Sequence, residues 1–260
     1  MEDTLRQTLA AARSAPDRAG PLAGLLGVAL IHLALVAGGG VLLGALFPAI
    51  APGLPIAIWL NSALTAGVLS MLWMRGQQTF GHTRLGACNA VTHLRGSLAC
   101  LLAMPLAAPA SFADPRLGWT IFGIGLVVLC LDGIDGWLAR RARLQSAFGA
   151  RFDMETDSAF ALLLAALAWA GGTAGPAMIL LGGARYLFWG ATFVWPWLAA
   201  PLPERYSRKI VCVLQLGTLL ALQAPALPER VGEFAAVLVA ALLAWSFLVD
   251  IRWLGAARTR

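Results

Sequence analysis

Residues 117–157 read LGWTIFGIGLVVLCLDGIDGWLARRARLQSAFGARFDMETD. No charge interrupts the run before Asp132, and the apolar stretch 117–138 is close to the ~20 residues a helix needs to cross hydrocarbon. Arginines then follow at 140, 141, 143 and 151, the residue type that collects on the cytoplasmic side of membrane spans. After this connection Asp153 and Asp157 lead into a second apolar run from residue 158. An apolar helix, a short basic turn and a returning apolar helix form a transmembrane hairpin, because only helices and closed barrels satisfy their backbone in lipid.

Outward from this hairpin the chain repeats the pattern. Of its 260 residues, 59% are hydrophobic and 12% charged, against about 25% charged in soluble domains. The mean hydropathy is +0.76. A soluble domain of this composition would expose large apolar patches, so soluble, disordered and secreted disulfide-framed classes are excluded. Eight apolar runs are expected to span: 22–47, 56–74, 96–113, 117–138, 158–175, 176–198, 210–226 and 232–250. Turn residues separate them, among them Pro48, Pro52, Pro55, Asp114-Pro115, Gly171-Gly172, Pro201, Pro203, Pro225 and Pro228.

The basic residues test that count. With the N-terminus in the cytoplasm and eight crossings, 16 of the 19 Arg and Lys fall inside, Arg95 among them. Arg116 and Arg230 fall outside and Arg185 lies within a span. The asymmetry supports eight spans with both termini cytoplasmic. The net charge of +6 is read as this topology signal and no nucleic-acid partner is expected. Cys88, Cys100, Cys130 and Cys212 have no CxxC spacing and read as small hydrophobes. The polar residues 1–20, with Arg6, Arg13 and Arg18, are not expected to be a cleaved signal, because the run behind them is too long.

Five of the 13 acidic residues lie between 132 and 157: Asp132, Asp135, Asp153, Glu155 and Asp157. Asp132 and Asp135 are one helical turn apart, as are Asp153 and Asp157, so each pair shares a helix face. On adjacent antiparallel helices the two pairs face each other at one depth. Four carboxylates together repel, and hard oxygen ligands without His or Cys favour Mg²⁺ or Mn²⁺ over zinc. Four also suit a pair of divalent ions, the arrangement used for displacement at phosphorus. Gly136 and Gly149 leave room for a ligand beside the cluster, and Arg140 offers a fork for phosphate oxygens.

Residues 132–157 resemble the CDP-alcohol phosphotransferase signature D-x2-D-G-x2-A-R-x8-G-x3-D-x3-D at all eight fixed positions: Asp132, Asp135, Gly136, Ala139, Arg140, Gly149, Asp153 and Asp157. Upstream, Asn89, Thr92 and Arg95 are similar to the N-x-x-T-x-x-R that leads into the family's first core helix. The resemblance implies an all-α polytopic membrane protein with a six-helix core over residues 88–252 and two extra N-terminal transmembrane helices within 22–87. A cytoplasmic segment 1–21 and a cytoplasmic tail 253–260 complete the expected organisation. It implies transfer of a phosphatidyl-type group from a CDP-linked lipid donor to a hydroxyl acceptor, with release of CMP, in phospholipid synthesis. Asp132, Asp135, Asp153 and Asp157 would hold two divalent ions, with Asp157 also the base for the acceptor hydroxyl. Asp132, Gly136, Ala139, Arg140 and Gly149 would line the nucleotide site.

The signature does not name the acceptor. Arg185 sits inside a span, on the half away from the cytoplasm if helix order is followed, and an intramembrane Arg needs a partner or a function. Its expected partners are the metal-site carboxylates, water or a bound anion. Arg208 and Lys209, beside Arg205, enter the next span at the cytoplasmic mouth. By similarity to family members that use phosphorylated polyols, Arg185, Arg208 and Lys209 are the expected acceptor-binding residues, for glycerol phosphate or inositol phosphate. Serine, choline and diacylglycerol stay open as uncharged alternatives. Glu155 falls on a different face from Asp153 and Asp157, as a supporting residue or a solvated one. His32, His82 and His93 share no metal-like spacing and no chemistry is expected of them. The other expected partners are the bilayer and a second copy of the chain. The expected location is a bacterial inner membrane, with the active site facing the cytoplasm. A transporter using Asp132, Asp135 and Arg185 as an ion path would not need the Gly and Arg positions at fixed spacing.

Overall fold

The computed structural model describes residues 19–79, 82, 84–203 and 205–258, and among these every regular element is helical. The helices are α1 (Ala19–Leu46), α2 (Leu54–Thr79), α3 (Gly86–Leu101), α4 (Pro115–Ala142), α5 (Ala147–Ala170), α6 (Met178–Gly182), α7 (Ala184–Val194), α8 (Tyr206–Ala221) and α9 (Glu229–Arg258). Short 3₁₀ turns, most of them starting at proline, join several of them. Five segments are long and apolar enough to cross a membrane: Gly20–Leu46, Pro48–Met74, Gly86–Ala107, Pro115–Ala142 and Arg230–Ala257. The chain is an all-α polytopic membrane protein. Its interior is built around α5, where Leu164, Ala165, Leu167 and Ala168 are fully buried against Val128 of α4, Leu219 of α8 and Val239 of α9. Large apolar side chains such as Ile31, Trp59, Val213, Phe234 and Val237 point outward, as expected where lipid is the solvent.

Three expected crossings, residues 158–175, 176–198 and 210–226, are not among the five segments, and each has a reason. Helix α5 starts earlier than its apolar run and carries Arg151, Asp153, Glu155 and Asp157 in its first half. The run 176–198 is no single helix: it breaks at Gly182-Gly183 into α6 and α7. A Cβ on Gly182 would lie 2.6 Å from Ala165 Cβ and 2.7 Å from Ala161 O, so the chain presses against α5 there and only glycine fits. Helix α8 has 16 residues.

Two further boundaries are corrected. The run expected at 96–113 is helical from Gly86 to Leu101, more than half the window earlier, so Arg95 lies inside a helix rather than in a connecting loop. The tail expected at 253–260 is helical through Arg258 as the end of α9. Residues 1–18 of the expected cytoplasmic segment and residues 259–260 of the tail lie outside the described residues.

The α4–α5 hairpin is fixed by local chemistry. Asp114 caps α4, accepting from the Arg116 backbone N–H at 2.9 Å, with Pro115 next to it. Hydrogen bonds from the Arg116 side chain, with that N–H, hold the half-buried Asp114 carboxyl below its ordinary range. At the other end Arg143 takes the left-handed conformation, φ 53°, and the Leu144 N–H bonds back to Ala139 O at 3.0 Å, a Schellman-type stop. Three residues on, the Ser146 side chain accepts from the Gly149 N–H at 3.0 Å and starts α5. Leu144 folds over the start of α3, where Gly86 has φ +77° and a Cβ would lie 2.6 Å from the Leu144 side chain. The tight turn therefore brings the first turn of α3, the end of α4 and the start of α5 to one place.

Candidate active site

On α3, Asn89, Thr92 and Arg95 follow at intervals of three and share a face, and all three are buried. That face meets the last turns of α4 and the first turns of α5. Arg95, 1% exposed, stands among the four aspartates. Its Nη1 donates to Asp135 Oδ2 at 2.7 Å and to Asp153 Oδ1 at 2.5 Å. Its Nη2 pairs with Asp132 Oδ1 at 2.8 Å and donates to Asp157 Oδ1. The Thr92 hydroxyl lies 3.0 Å from Asp135 Oδ2 and 3.1 Å from Cys88 O, sharing one proton between them. The Arg95 Nε is buried with no acceptor among the described residues.

The four carboxylates differ in access. The Asp135 side chain is 6% exposed, whereas Asp132, Asp153 and Asp157 are 41%, 40% and 32% exposed. Asp135 is thus the deep member and the other three are partly exposed. Oxygens of Asp132, Asp135 and Asp153 lie within 4.8 Å of one another, a spacing one cation could bridge. Asp157 stands outside that tight group and joins it through Arg95. Among the described residues no second cationic side chain pairs with these carboxylates. Four negative charges against one guanidinium leave an excess that divalent ions would offset, and the all-oxygen donor set is the kind Mg²⁺ or Mn²⁺ takes.

Beside the cluster is a cavity of about 210 Å³. Gly136, Ala139, Arg140 and Gly149 line it, with Asn89, Thr92, Asp135 and Asp153; Asp132 does not. A Cβ on Gly149 would stand 3.2 Å from Asn89 Oδ1 and 3.2 Å from Ser146 Oγ, so a side chain there would crowd the wall.

The residues expected to hold the acceptor have protein partners. Arg185 Nη2 donates to Glu155 Oε1 at 2.7 Å, with Nη1 against the sulfur of Met154 at 2.6 Å. Its partner is therefore the acidic residue of α5 that turns away from the aspartates, not a metal-site carboxylate. Because α6 and α7 are broken apart, Arg185 starts a new helix level with Glu155 instead of sitting in the far half of a continuous one. Arg208 reaches both oxygens of the buried Asp250, at 3.1 and 3.0 Å, and Arg205 reaches the same carboxylate at 2.8 Å. The Lys209 ammonium lies over the Tyr206 ring at 5.9 Å. Cys212, one turn beyond Arg208, feels the charges of Asp157, Arg208 and Arg185 together, so these groups border a common region.

Sequence reasoning missed three things. Arg95 reads from charge alone as a topology residue, although it also falls in the N-x-x-T-x-x-R pattern. Asp250 was passed over, although an acid at the edge of the run 232–250 is itself a signal. His32 and His93 were set aside, yet their rings meet inside the protein.

A family model described as CDP-alcohol phosphatidyltransferase matches residues 85–249, from the start of α3 into α9, and leaves α1 and α2 outside. No curated protein and no solved structure matches the chain.

Proposed function

We propose that this chain, which belongs to the CDP-alcohol phosphatidyltransferase family, transfers a phosphatidyl-type group from a CDP-linked lipid donor to a phosphorylated polyol and releases CMP. Transfer of a phosphatidyl group from a CDP-alcohol is the reaction of the family. Glycerol phosphate or inositol phosphate is the acceptor in this reading, and phospholipid synthesis on the cytoplasmic face of a bacterial inner membrane its setting. The observation that carries it is the meeting of four aspartates from two helices beside a glycine-walled cavity that also holds Arg140.

Each residue has a task in that reading. Arg140 grips donor phosphate oxygens with its planar fork. Gly136, Ala139 and Gly149 keep the cavity wall low enough for the nucleotide to lie against backbone. Asp157, outside the tight three-carboxylate group, takes the proton from the acceptor hydroxyl. Two divalent ions held by Asp132, Asp135, Asp153 and Asp157 would neutralise charge on the donor pyrophosphate and on the departing CMP. Arg95 fixes the spacing of the four carboxylates. Arg185, Arg208 and Lys209 hold the acceptor phosphate; the shared electrostatic neighbourhood of Asp157, Arg185 and Arg208 supports this.

A second reading keeps the reaction and takes an uncharged acceptor, serine, choline or diacylglycerol. It is favoured by the pairing of Arg185 with Glu155 and of Arg208 with Asp250, which gives each arginine a protein partner in place of a phosphate. CMP release by purified protein, with a CDP-lipid donor and each acceptor in turn, tests both. Release that depends on a phosphorylated polyol supports the first reading, release with serine or diacylglycerol supports the second, and no release with any acceptor refutes the reaction.

A further inference from the structure

Helices α1 and α2 lie outside the family match, yet they are built into the catalytic half of the protein. Leu25 of α1 and Val68 and Leu72 of α2 share a buried cluster with Leu85, Phe148 and Phe152. A Cβ on Gly96, the residue after Arg95, would stand 2.6 Å from the Leu64 side chain, so α2 approaches α3 as closely as glycine allows. A polar network lies within this apolar contact. His32 Nδ1 of α1 is 2.9 Å from His93 Nδ1 of α3, and His93 Nε2 is 3.1 Å from the Thr65 hydroxyl of α2. The Thr65 hydroxyl donates to Asn61 O at 3.0 Å. Ser97 of α3 lies 2.7 Å from the Asn61 side-chain oxygen. His93 and Ser97 are fully buried and Asn61 nearly so.

One placement of the protons satisfies every bond of this chain. With the single Thr65 proton given to Asn61 O, the Thr65 oxygen accepts from His93 Nε2–H. A neutral His93 then has a bare Nδ1, which accepts from His32 Nδ1–H. The Ser97 hydroxyl lies 3.3 Å from the same His93 Nδ1, and burial makes a missing partner costly. His93 also packs on the ring of Phe152, at 6.5 Å between centroids, and Phe152 precedes Asp153. One imidazole of α3 thus touches α1, α2 and α5; it follows Thr92 in the chain and packs on the ring that precedes Asp153.

We infer that α1 and α2 act as a hydrogen-bonded clamp on the catalytic centre. His93 is its positioning residue, held by His32 and Thr65, and sets the register of α3 and thereby the place of Arg95 among the aspartates. The inference rests on the proposed metal site and deepens it, since carboxylates held out of place bind a small, geometry-demanding cation poorly.

The test titrates Mn²⁺ alone into the purified full chain, followed by EPR, on the folded fraction. His32→Phe keeps a ring and loses the N–H; His32→Asn keeps an N–H donor at the Nδ1 position. Thr65→Val removes the other bond from α2 with little change of shape. Changing a residue that supports ligands from behind costs about 10–100-fold in metal affinity, and a clamp acting through a helix is expected at or just below the low end, roughly 5–10-fold, for His32→Phe and Thr65→Val. His32→Asn is expected to stay within about twofold of the unaltered protein by the same reasoning. Histidine ¹⁵N shifts should place the proton of His32 on Nδ1 and that of His93 on Nε2. Unaltered Mn²⁺ affinity in both His32→Phe and Thr65→Val overturns the clamp, as does equal loss in His32→Asn and His32→Phe. Unaltered protein that binds Mn²⁺ in this order of variants but releases no CMP refutes the reaction and leaves the clamp standing. Unaltered protein that binds no Mn²⁺ overturns the metal site and the clamp's stated role together.

Discussion

Arg95 and Asp135 form an ion pair at 2.7 Å in which both side chains are almost wholly buried. Removing one partner of such a pair strands the other charge, at a cost of about 3–5 kcal/mol. Arg95→Ala should therefore lower the thermal unfolding midpoint more than any single change among the exposed arginines, and turnover should be lost with it. Arg95→Lys should recover part of the stability and little of the activity, because one ammonium cannot stand in for two nitrogens that each serve two carboxylates. An Arg95→Ala protein with an unaltered midpoint would show that the pair contributes nothing.

The aspartates should separate by role. Asp132→Ala and Asp153→Ala are expected to lose both Mn²⁺ binding and CMP release, and chelation by EDTA should stop the unaltered enzyme. Asp157→Asn should retain Mn²⁺ and donor binding while turnover falls by about 10²–10⁴, the usual worth of a general base. Near-normal turnover in Asp157→Asn would move the base to another residue.

The acceptor reading turns on the arginines paired to Glu155 and Asp250. If they hold a phosphate, Arg185→Ala and Arg208→Ala should raise the acceptor KM by roughly tenfold, the scale of one charge-assisted hydrogen bond, with the donor KM little changed. Arg185→Lys should recover part of this. Steady-state kinetics with both substrates varied decides it, and an acceptor KM indifferent to all three changes would dismiss the cationic pocket.

The α4–α5 turn offers a gain in stability. Arg143 is an exposed non-glycine residue with φ 53°, a conformation that costs about 1–2 kcal/mol against the right-handed one and suits glycine. Arg143→Gly should raise the unfolding midpoint by the equivalent of up to about 1 kcal/mol with activity retained. A lowered midpoint would mean that the Arg143 side chain does more than occupy the turn.

How much of this was legible in the sequence depended on where the partners lie. Asp132, Asp135, Asp153 and Asp157 follow helical spacing on two neighbouring helices, so their meeting could be read directly. The start of α3 could not. Hydropathy marks lipid-facing helices, and the segment Gly86–Ala107 is 61% buried against 22–28% for the other four, so it carries polar residues where an outer helix would carry apolar ones. That displaced the expected boundary to residue 96 and left Arg95 outside. The pairs Arg185–Glu155 and His32–His93 join residues 30 and 61 positions apart on separate helices, and no periodicity connects them. The break between α6 and α7 was signalled only by Gly182-Gly183, a pair as common in helix packing as in helix ends.

The position of Arg95 sets an order of assembly. In a chain inserted from its N-terminus, Arg95 is made before any of its four carboxylate partners, and Asp135 follows 40 residues later. An arginine near the middle of an unaccompanied helix costs about 2.5–3.5 kcal/mol to insert. Helix α3 is thus a poor membrane passenger alone and a good one once α4 and α5 arrive. Until then α1 and α2, already synthesised, are the protein surfaces it can lie against, and the notch at Gly96 and the imidazole of His93 give it a place to wait.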